Sequence, residues 1–450
     1  MNRVQPLVRI AKNRGFMETY TVQPLAGPFN ASVGVPGSKS QTNRALLLAA
    51  LADGRSLLRG ALFSDDSRVF VDSLQRLGLS VEADAVAETI AVDGAAGLIP
   101  ARSAELFVGN AGTAARFLTA FLPLGHGDFV LDGSARMRQR PIAELLDALS
   151  ALGATVESIG GNGCPPVRVR AAGLRGGAAM VDATRSGQFL SALLMVAPYA
   201  QQDVMLSLKG PLASAPYIAM TLTMMREWGV QVRTDGDTLQ ASPEQPVSYH
   251  VRAGARYAAR AYDVPPDASG ASYFLAAAAV SGGSVRVRNL ARAQEQGDLG
   301  LLQVFERMGC KVETIANDVQ LTGPEQLEGI DLDLNAMSDM TMTLAAIAPF
   351  ARGPVAIRNV AHIRHQETDR LAATVAELRR LGAHVEERAD GLTVYPSRLH
   401  AAQVQTYDDH RLAMAFAITG LKVPGVTIQN PGCVAKTFPD FFKRLEAAIG

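Results

Sequence analysis

Cysteine is scarce in this 450-residue chain: Cys164, Cys310 and Cys433 are its three, far apart and with no CxxC pair. That spacing argues against a disulfide framework and a zinc site, and it fits a reducing cytoplasm. An excess of charge is lacking too, since Lys plus Arg and Asp plus Glu both number 43. Charge balance therefore points to neither a nucleic-acid partner nor an anionic membrane surface. The apolar runs are 8 to 14 residues long and rich in Ala, short of the roughly 20 needed to cross a bilayer. No long flexible linker and no GxxxxGK[ST] phosphate loop is present. Residues 1–17 carry Arg3, Arg9, Lys12 and Arg14 without an acid, a serine or an apolar core. They read as a disordered extension, or as residues ahead of a true initiator at Met17.

What the chain does have is a repeat. Six polar clusters, beginning at Ser38, Asn110, Ser186, Asp267, Asp339 and Asp409, recur at intervals of 70 to 81 residues. Each runs into an apolar stretch such as ALLLAALA, FLSALLMVAPYA or LAMAFAITGL. Stretches apolar on every side predict buried helices, and the polar residue ahead of each predicts an N-cap. Six convergent helix starts would make an anion site from free N–H groups and positive dipole ends.

A second marker runs between the clusters. At Gly78, Gly153, Gly229, Gly309 and Gly382, spaced 73 to 80 residues apart, a helical pattern meets Gly and then an alternating strand pattern. The strand-like stretch from Tyr20 to Val35 completes the sixth, truncated unit. Six units predict two domains of three, because single cores rarely exceed about 250 to 300 residues. One domain is continuous, residues 37–263. The other joins residues 18–36 to 264–450 and holds both ends of the repeat, with the active site in the cleft between them. Short crossings between the domains predict a clamp that closes on a ligand.

The most chemical stretch is GVPGSKSQTNRALLLAAL, which places Lys39, Ser40 and Arg44 in the first turns of a buried helix. Lys39 and Ser40 lie at the end with free N–H groups, and Arg44 follows Ser40 by one turn on the same face. A well-capped helix with snorkelling cations is the bland alternative. In VGNAGTAAR, Gly109 and Gly112 flank Asn110 and let backbone approach a ligand closely. Of Arg136, Arg138 and Arg140 ahead of Pro141, Arg140 is the best anion ligand, while surface charge also accounts for the three. Glu367, Asp369 and Arg370 open another helix, where a solvated first turn would look similar. His410 and Arg411 begin a buried helix, and desolvation makes a purely structural role costly there. Lys436 precedes the last helix.

In order along the chain, PGSKSQTNRALLLAALA, GNAGTAAR, RMRQRPI, SGQFLSALLMVAP, DASGASYFLAAAA, SDMTMTLAA, ETDRL, YDDHRLAMAF and AKTFPDFF resemble the signatures of the 5-enolpyruvylshikimate-3-phosphate synthases (3-phosphoshikimate 1-carboxyvinyltransferases). The resemblance covers nearly the whole chain from about Val22 onward. It implies an α/β fold of the two-domain inside-out barrel type, each domain holding three βαβαββ repeats with buried helices and outer sheets. It also implies transfer of the enolpyruvyl group of phosphoenolpyruvate to the 5-hydroxyl of shikimate 3-phosphate, releasing phosphate, on the way to chorismate and the aromatic amino acids. By resemblance, Lys39, Ser40, Arg44, Ser186, Gly187, Gln188, Ser214, Tyr217, Asp339 and Gln366 would face shikimate 3-phosphate. Lys39, Asn110, Gly112, Arg140, Gln188, Glu367, Arg370, His410, Arg411 and Lys436 would face phosphoenolpyruvate. The family implies a cytoplasmic monomer that needs no metal or organic cofactor and is inhibited by glyphosate.

Charge flow assigns the proton carriers. Asp339 is the expected base toward the 5-hydroxyl, Glu367 handles the proton at C3 of the enol, and Lys39 and His410 stabilise charge or protonate the leaving phosphate oxygen. Four positions depart from the commoner family pattern. Gln366 stands where lysine is expected, Gly187 where many relatives have a second serine, His362 where Asn is frequent, and Phe117 where Pro is common. Two alternatives stay open, a transferase acting on UDP-N-acetylglucosamine and a catalytically silent binder of phosphorylated ligands.

Overall fold

Gly78, Gly153, Gly229, Gly309 and Gly382 all adopt φ between +89° and +96° in a computed structural model that describes residues 18–238 and 247–450. Residues 1–17, with the extension expected there, lie outside that range. At positive φ an L side chain is strained, so glycine is the natural way to end each helix. The helices that stop there are Asp65–Arg76, Ala143–Ala151, Pro216–Glu227, Leu301–Arg307 and Arg370–Arg380. The strands released are Ser80–Asp84, Thr155–Ser158, Val232–Asp235, Lys311–Ile315 and Val385–Arg388.

Each of these strands is the outer member of an antiparallel hairpin in a four-stranded sheet. In the second unit, Ser103–Phe107 pairs in parallel with His126–Asp132, which pairs antiparallel with Val167–Ala172, and that strand with Thr155–Ser158. The buried helix Gly112–Phe121 makes the parallel crossover, and Ala143–Ala151 leads into the hairpin. This βαβαββ order recurs in three of the five four-stranded sheets, and in a fourth the parallel partner of Asp53–Arg59 is Ala261–Asp263, from the far end of the same core. The sixth sheet has three strands, in which Thr19–Thr21 lies antiparallel to Thr427–Gln429. The same N-terminal stretch also supplies Asn30–Val33, parallel to Ser284–Val287, so it completes the sixth unit and begins the fourth.

Two hydrophobic cores result. One spans Ala45 to Val264, and the other unites Tyr20, Val22, Phe29 and Val33 with Ala268 through Leu445. In both, helices occupy the middle and sheets the outside. Every residue of Gly112–Phe121, Thr341–Ile347 and His410–Gly420 is buried, as expected for helices with no polar face. Between the cores the chain crosses twice, and the two crossings bond to each other. The Ser38 and Asp267 N–H groups donate to the Pro265 and Pro36 carbonyls, each at 2.9 Å. A Cβ at Gly37 would stand 1.9 Å from the Gly60 carbonyl oxygen, so this pairing needs glycine.

Not every expected cap forms. Ser38, Asp267 and Asp409 do cap their helices, accepting from the N–H groups of Gln41, Gly270 and Arg411. The remaining three N-caps are Ala111, Gly187 and Met340, one residue after Asn110, Ser186 and Asp339 respectively, and none caps through its side chain. Ser186 Oγ still accepts from the Gln188 N–H at 3.3 Å, while the side chains of Asn110 and Asp339 meet Arg140, Arg370 and Arg411 instead.

Candidate active site

Two adjoining cavities, of about 70 and 80 Å³, lie between the cores. The buried helices bring their first turns here: Lys39 and Ser40 from one, Gly112 and Thr113 from the next, then Gln188 and Arg411, with Asp339 two residues ahead of the Thr341–Ile347 helix. Asp267 binds the Lys39 N–H at 3.0 Å through its carboxylate and so ties two of these helix starts together.

The second cavity is lined by all ten residues expected to face shikimate 3-phosphate. Arg44 is its deepest cation, 2% exposed. It donates to Thr221 Oγ1 at 2.8 Å, Ser40 O at 3.0 Å, Tyr217 O at 3.1 Å and Ser191 Oγ at 3.2 Å. All four partners are neutral, and burial lowers the guanidinium to about 10. Phe117 accounts for one departure from the family pattern, since its ring lies 5.5 Å from the Arg44 guanidinium carbon in a cation–π contact. Gly187 has a steric reason too: a Cβ there would meet the Ala213 carbonyl oxygen at 2.8 Å. Ser214 adopts φ +56°, uncommon for serine, and its N–H is held by Asn335 Oδ1 at 3.3 Å across the cleft.

The first cavity holds the carboxylates. Arg370 is the hub, with Nη1 2.9 Å from Asp339, Nη2 3.0 Å from Glu367 and Nε 2.7 Å from Asp409. Arg411 reaches the other Asp339 oxygen at 2.6 Å. Lys436 lies 3.4 Å from both Glu367 and Asp66, and Arg140 sits 3.8 Å from Glu367. Enclosure pushes the Asp339 carboxyl upward, but Arg411, Arg370 and Lys39 outweigh it and hold it below the ordinary range. Burial likewise opposes ionisation of Glu367, yet Arg370, Arg140, Lys436 and Lys39 keep it well below that range. Both carboxylates are therefore ionised at neutral pH.

The remaining expected residues fall around this core. Gly112 leaves room for Arg140, since a Cβ there would sit 2.4 Å from Nη2. Asn110 and Lys436 line a neighbouring cavity instead. The Asn110 carbonyl accepts from Arg140 at 3.0 Å and from Lys436 at 2.5 Å. His410 lines neither of the first two cavities and is fully buried with both ring nitrogens free of protein hydrogen bonds. Burial, then Lys39 and Arg411, hold it well below its usual pKa, so the ring is neutral. Gln366 offers its side-chain oxygen to Arg370 Nη1, and Arg136 clamps its carbonyl at 2.9 Å. A lysine could not accept from Arg370 in that way. His362 bonds Ser338 Oγ at 2.8 Å.

Several lining residues escape the sequence reading. Arg116 donates to the Gly112 and Pro141 carbonyls at 3.1 and 3.0 Å. Its signal was its place one turn after Gly112. Asp66 looks in sequence like any acid in a first turn, and Thr113, Arg185 and His365 carry no pattern. Asp298, buried outside the cavities, accepts from Tyr217 Oη at 3.4 Å and from Ser269 Oγ. Burial and then Asp339 push its carboxyl up to about 6.

Comparison with known proteins gives the family and the fold. Residues 25–445 match the EPSP synthase (3-phosphoshikimate 1-carboxyvinyltransferase) family. The 3-phosphoshikimate 1-carboxyvinyltransferase of Nostoc punctiforme is 50% identical over 428 residues, covering 95% of this chain and 98% of that one. Its counterpart in Serratia proteamaculans is 46% identical over 432 residues, again covering 95% and 98%. The solved EPSP synthase from Acinetobacter baumannii superposes with a TM-score of 0.78 at 24% identity, covering 96% of this chain and 98% of that one. For the enolpyruvyl transferase NikO from Streptomyces tendae the TM-score is 0.75 at 19% identity, covering 96% and 97%. At those identities the structural likeness speaks for the fold, the two-domain inside-out α/β architecture.

Proposed function

This chain belongs to the EPSP synthase family, and on that footing we propose that its cleft transfers the enolpyruvyl group of phosphoenolpyruvate to the 5-hydroxyl of shikimate 3-phosphate. The observation that carries the reading is the position of Asp339, the one carboxylate that lines both cavities. With shikimate 3-phosphate in the second cavity and phosphoenolpyruvate in the first, Asp339 stands where the attacking hydroxyl meets the enol carbon. Glu367 lines the first cavity alone, which suits proton traffic at C3. Residues 37–263 form one domain and residues 18–36 with 264–450 the other, with the reaction between them.

The ion pairs explain how weak bases become useful ones. Phosphoenolpyruvate brings a carboxylate and a phosphate to Arg370, Arg411, Arg140 and Lys436, the cations that now neutralise Asp339 and Glu367. Sharing those cations with substrate raises the basicity of both carboxylates when it is needed. Asp339 then takes the 5-hydroxyl proton as the oxygen bonds to C2, and Glu367, which picks up a solvent proton once its cations turn to the substrate, passes that proton to C3. In the elimination Glu367 takes a methyl proton back, the C2–phosphate oxygen bond breaks, and Lys39 protonates the departing phosphate. His410, neutral and walled off from both cavities, contributes to the field around Lys39 and moves no proton.

The enzyme works as a cytoplasmic monomer without metal or organic cofactor, and glyphosate competes at the phosphoenolpyruvate end, where Gly112 leaves space. Purified protein incubated with both substrates and a chelator tests the reading. Formation of phosphate and enolpyruvyl product in equal amounts is expected. Binding of shikimate 3-phosphate without product would favour a silent binder, and absence of binding would redirect the search to another acceptor.

A further inference from the structure

Among the residues that line both cavities only two are cations, Lys39 and Arg185. They are held very differently. The Lys39 side chain is 14% exposed and stands over Asp66. The Arg185 side chain is 53% exposed and meets one carboxylate, Glu144, at 3.3 Å. Every other arginine of the cavities is at most 5% exposed and fixed by several groups, so Arg185 alone among them is free to move. Its partner is poorly satisfied as well: Glu144, in the first turn of the Ala143–Ala151 helix, keeps Oε2 buried without a protein hydrogen bond.

Arg185 directly precedes Ser186 and Gly187, and the packing of Gly187 against Ala213 leaves no room for a hydroxyl-bearing side chain there. In the second cavity Ser186 and Ser214 therefore offer hydroxyls on either side of this packed glycine, and Arg185 is the cation beside Ser186. Resting on the proposed function above, we infer that Arg185 is a mobile ligand for the phosphate of shikimate 3-phosphate, parked on Glu144 until the second cavity fills. A phosphate monoester carries a charge of about −1.5 to −2 near neutral pH, against −1 for Glu144. A guanidinium also forks onto two phosphate oxygens at once. The pair with Glu144 is half exposed and so costs little to break.

Steady-state kinetics at low ionic strength test the assignment. Arg185→Ala is expected to raise KM for shikimate 3-phosphate by about tenfold, the typical cost of one exposed charge-assisted contact. The KM for phosphoenolpyruvate and kcat should move far less, and the difference should shrink as salt is added. Arg185→Lys should recover part of the loss, and Glu144→Gln should lower the same KM by freeing Arg185. An unchanged KM for shikimate 3-phosphate in Arg185→Ala, or a rise confined to phosphoenolpyruvate, would overturn the inference. If the unsubstituted protein makes no product, the failed reading is enolpyruvyl transfer itself. Equal thermal protection of the two proteins by inorganic phosphate would then also refute the role of Arg185.

Discussion

Two pairs of buried arginines on facing walls of the cleft are held by opposite means. On the wall built from residues 37–263, Arg44 and Arg116 are buried among hydroxyls and carbonyls, with no carboxylate in ion-pair contact among the described residues. Burial lowers them to about 10 and, with Arg140 adding to it, about 9. On the facing wall, Arg370 touches three carboxylates and Arg411 one. Despite burial, both are raised by those partners, led by Asp409 for Arg370 and Asp339 for Arg411. Arg44 and Arg116 are left with uncompensated positive charge, ready for an anion, whereas Lys39, Arg140 and Arg185 on the same wall face Asp66, Glu367 and Glu144. Arg370 and Arg411 are neutralised in advance and must exchange partners when substrate arrives, and that exchange turns their acids into bases. Binding and proton transfer are thus divided between the walls.

Substitutions that cross this division probe it, beginning with the largest effect. Asp339→Asn should cut kcat at least about a hundredfold while leaving calorimetric binding of shikimate 3-phosphate nearly intact. Near-normal turnover in a folded variant would remove Asp339 as the base. On the other wall, Arg44→Ala should weaken shikimate 3-phosphate binding by roughly a hundredfold, as expected for a buried charged donor that also strands its partners. Arg44→Lys should rescue little, because an ammonium cannot reach four acceptors set for a planar fork. Full rescue by lysine would mean that charge alone matters there.

Gly112→Ala sharpens the boundary between the subsites. The added methyl pushes on the Arg140 guanidinium, so KM for phosphoenolpyruvate should rise by about tenfold with KM for shikimate 3-phosphate unchanged. Equal rises in both would show that the subsites are not separable at this helix.

The smallest effect concerns stability. Asp298 has a folded pKa of about 6 against an ordinary 3.8, so the folded state binds more protons than the unfolded one between those values. Stability therefore falls as pH rises through about 4 to 6, by at most on the order of 3 kcal/mol. Asp298→Asn should melt several degrees higher than the unsubstituted protein at pH 7.5, and the gap should close near pH 4. A variant that melts at or below the unsubstituted protein at pH 7.5 would contradict the sign.

The repeat was legible because two independent periodic signals, the buried helix and the glycine that ends its neighbour, each have a strong physical cause. Cap assignments failed at Asn110 and Asp339 for a related reason. There the side chains meet cations instead: Asn110 Oδ1 receives Arg140 at 3.2 Å, and the Asp339 carboxylate receives two arginines. Motif residues such as Lys39, Arg44 and Arg411 could be read because they open buried helices, where a charge is conspicuous. Arg185 and Asp298 could not, since both lie in irregular or short helical segments, and only the tertiary fold brings them to the cleft or its edge.

The paired crossings at Gly37 and Pro266 have a consequence for how the protein is made. Residues 37–263 enter and leave through one narrow stem, so that half is complete as soon as its last strand, Ala261–Asp263, clears the ribosome. The other half begins first and finishes last. Thr19–Thr21 has no strand partner until Thr427–Gln429 is synthesised, so it must wait, unpaired, while the core from Ala45 to Val264 is made.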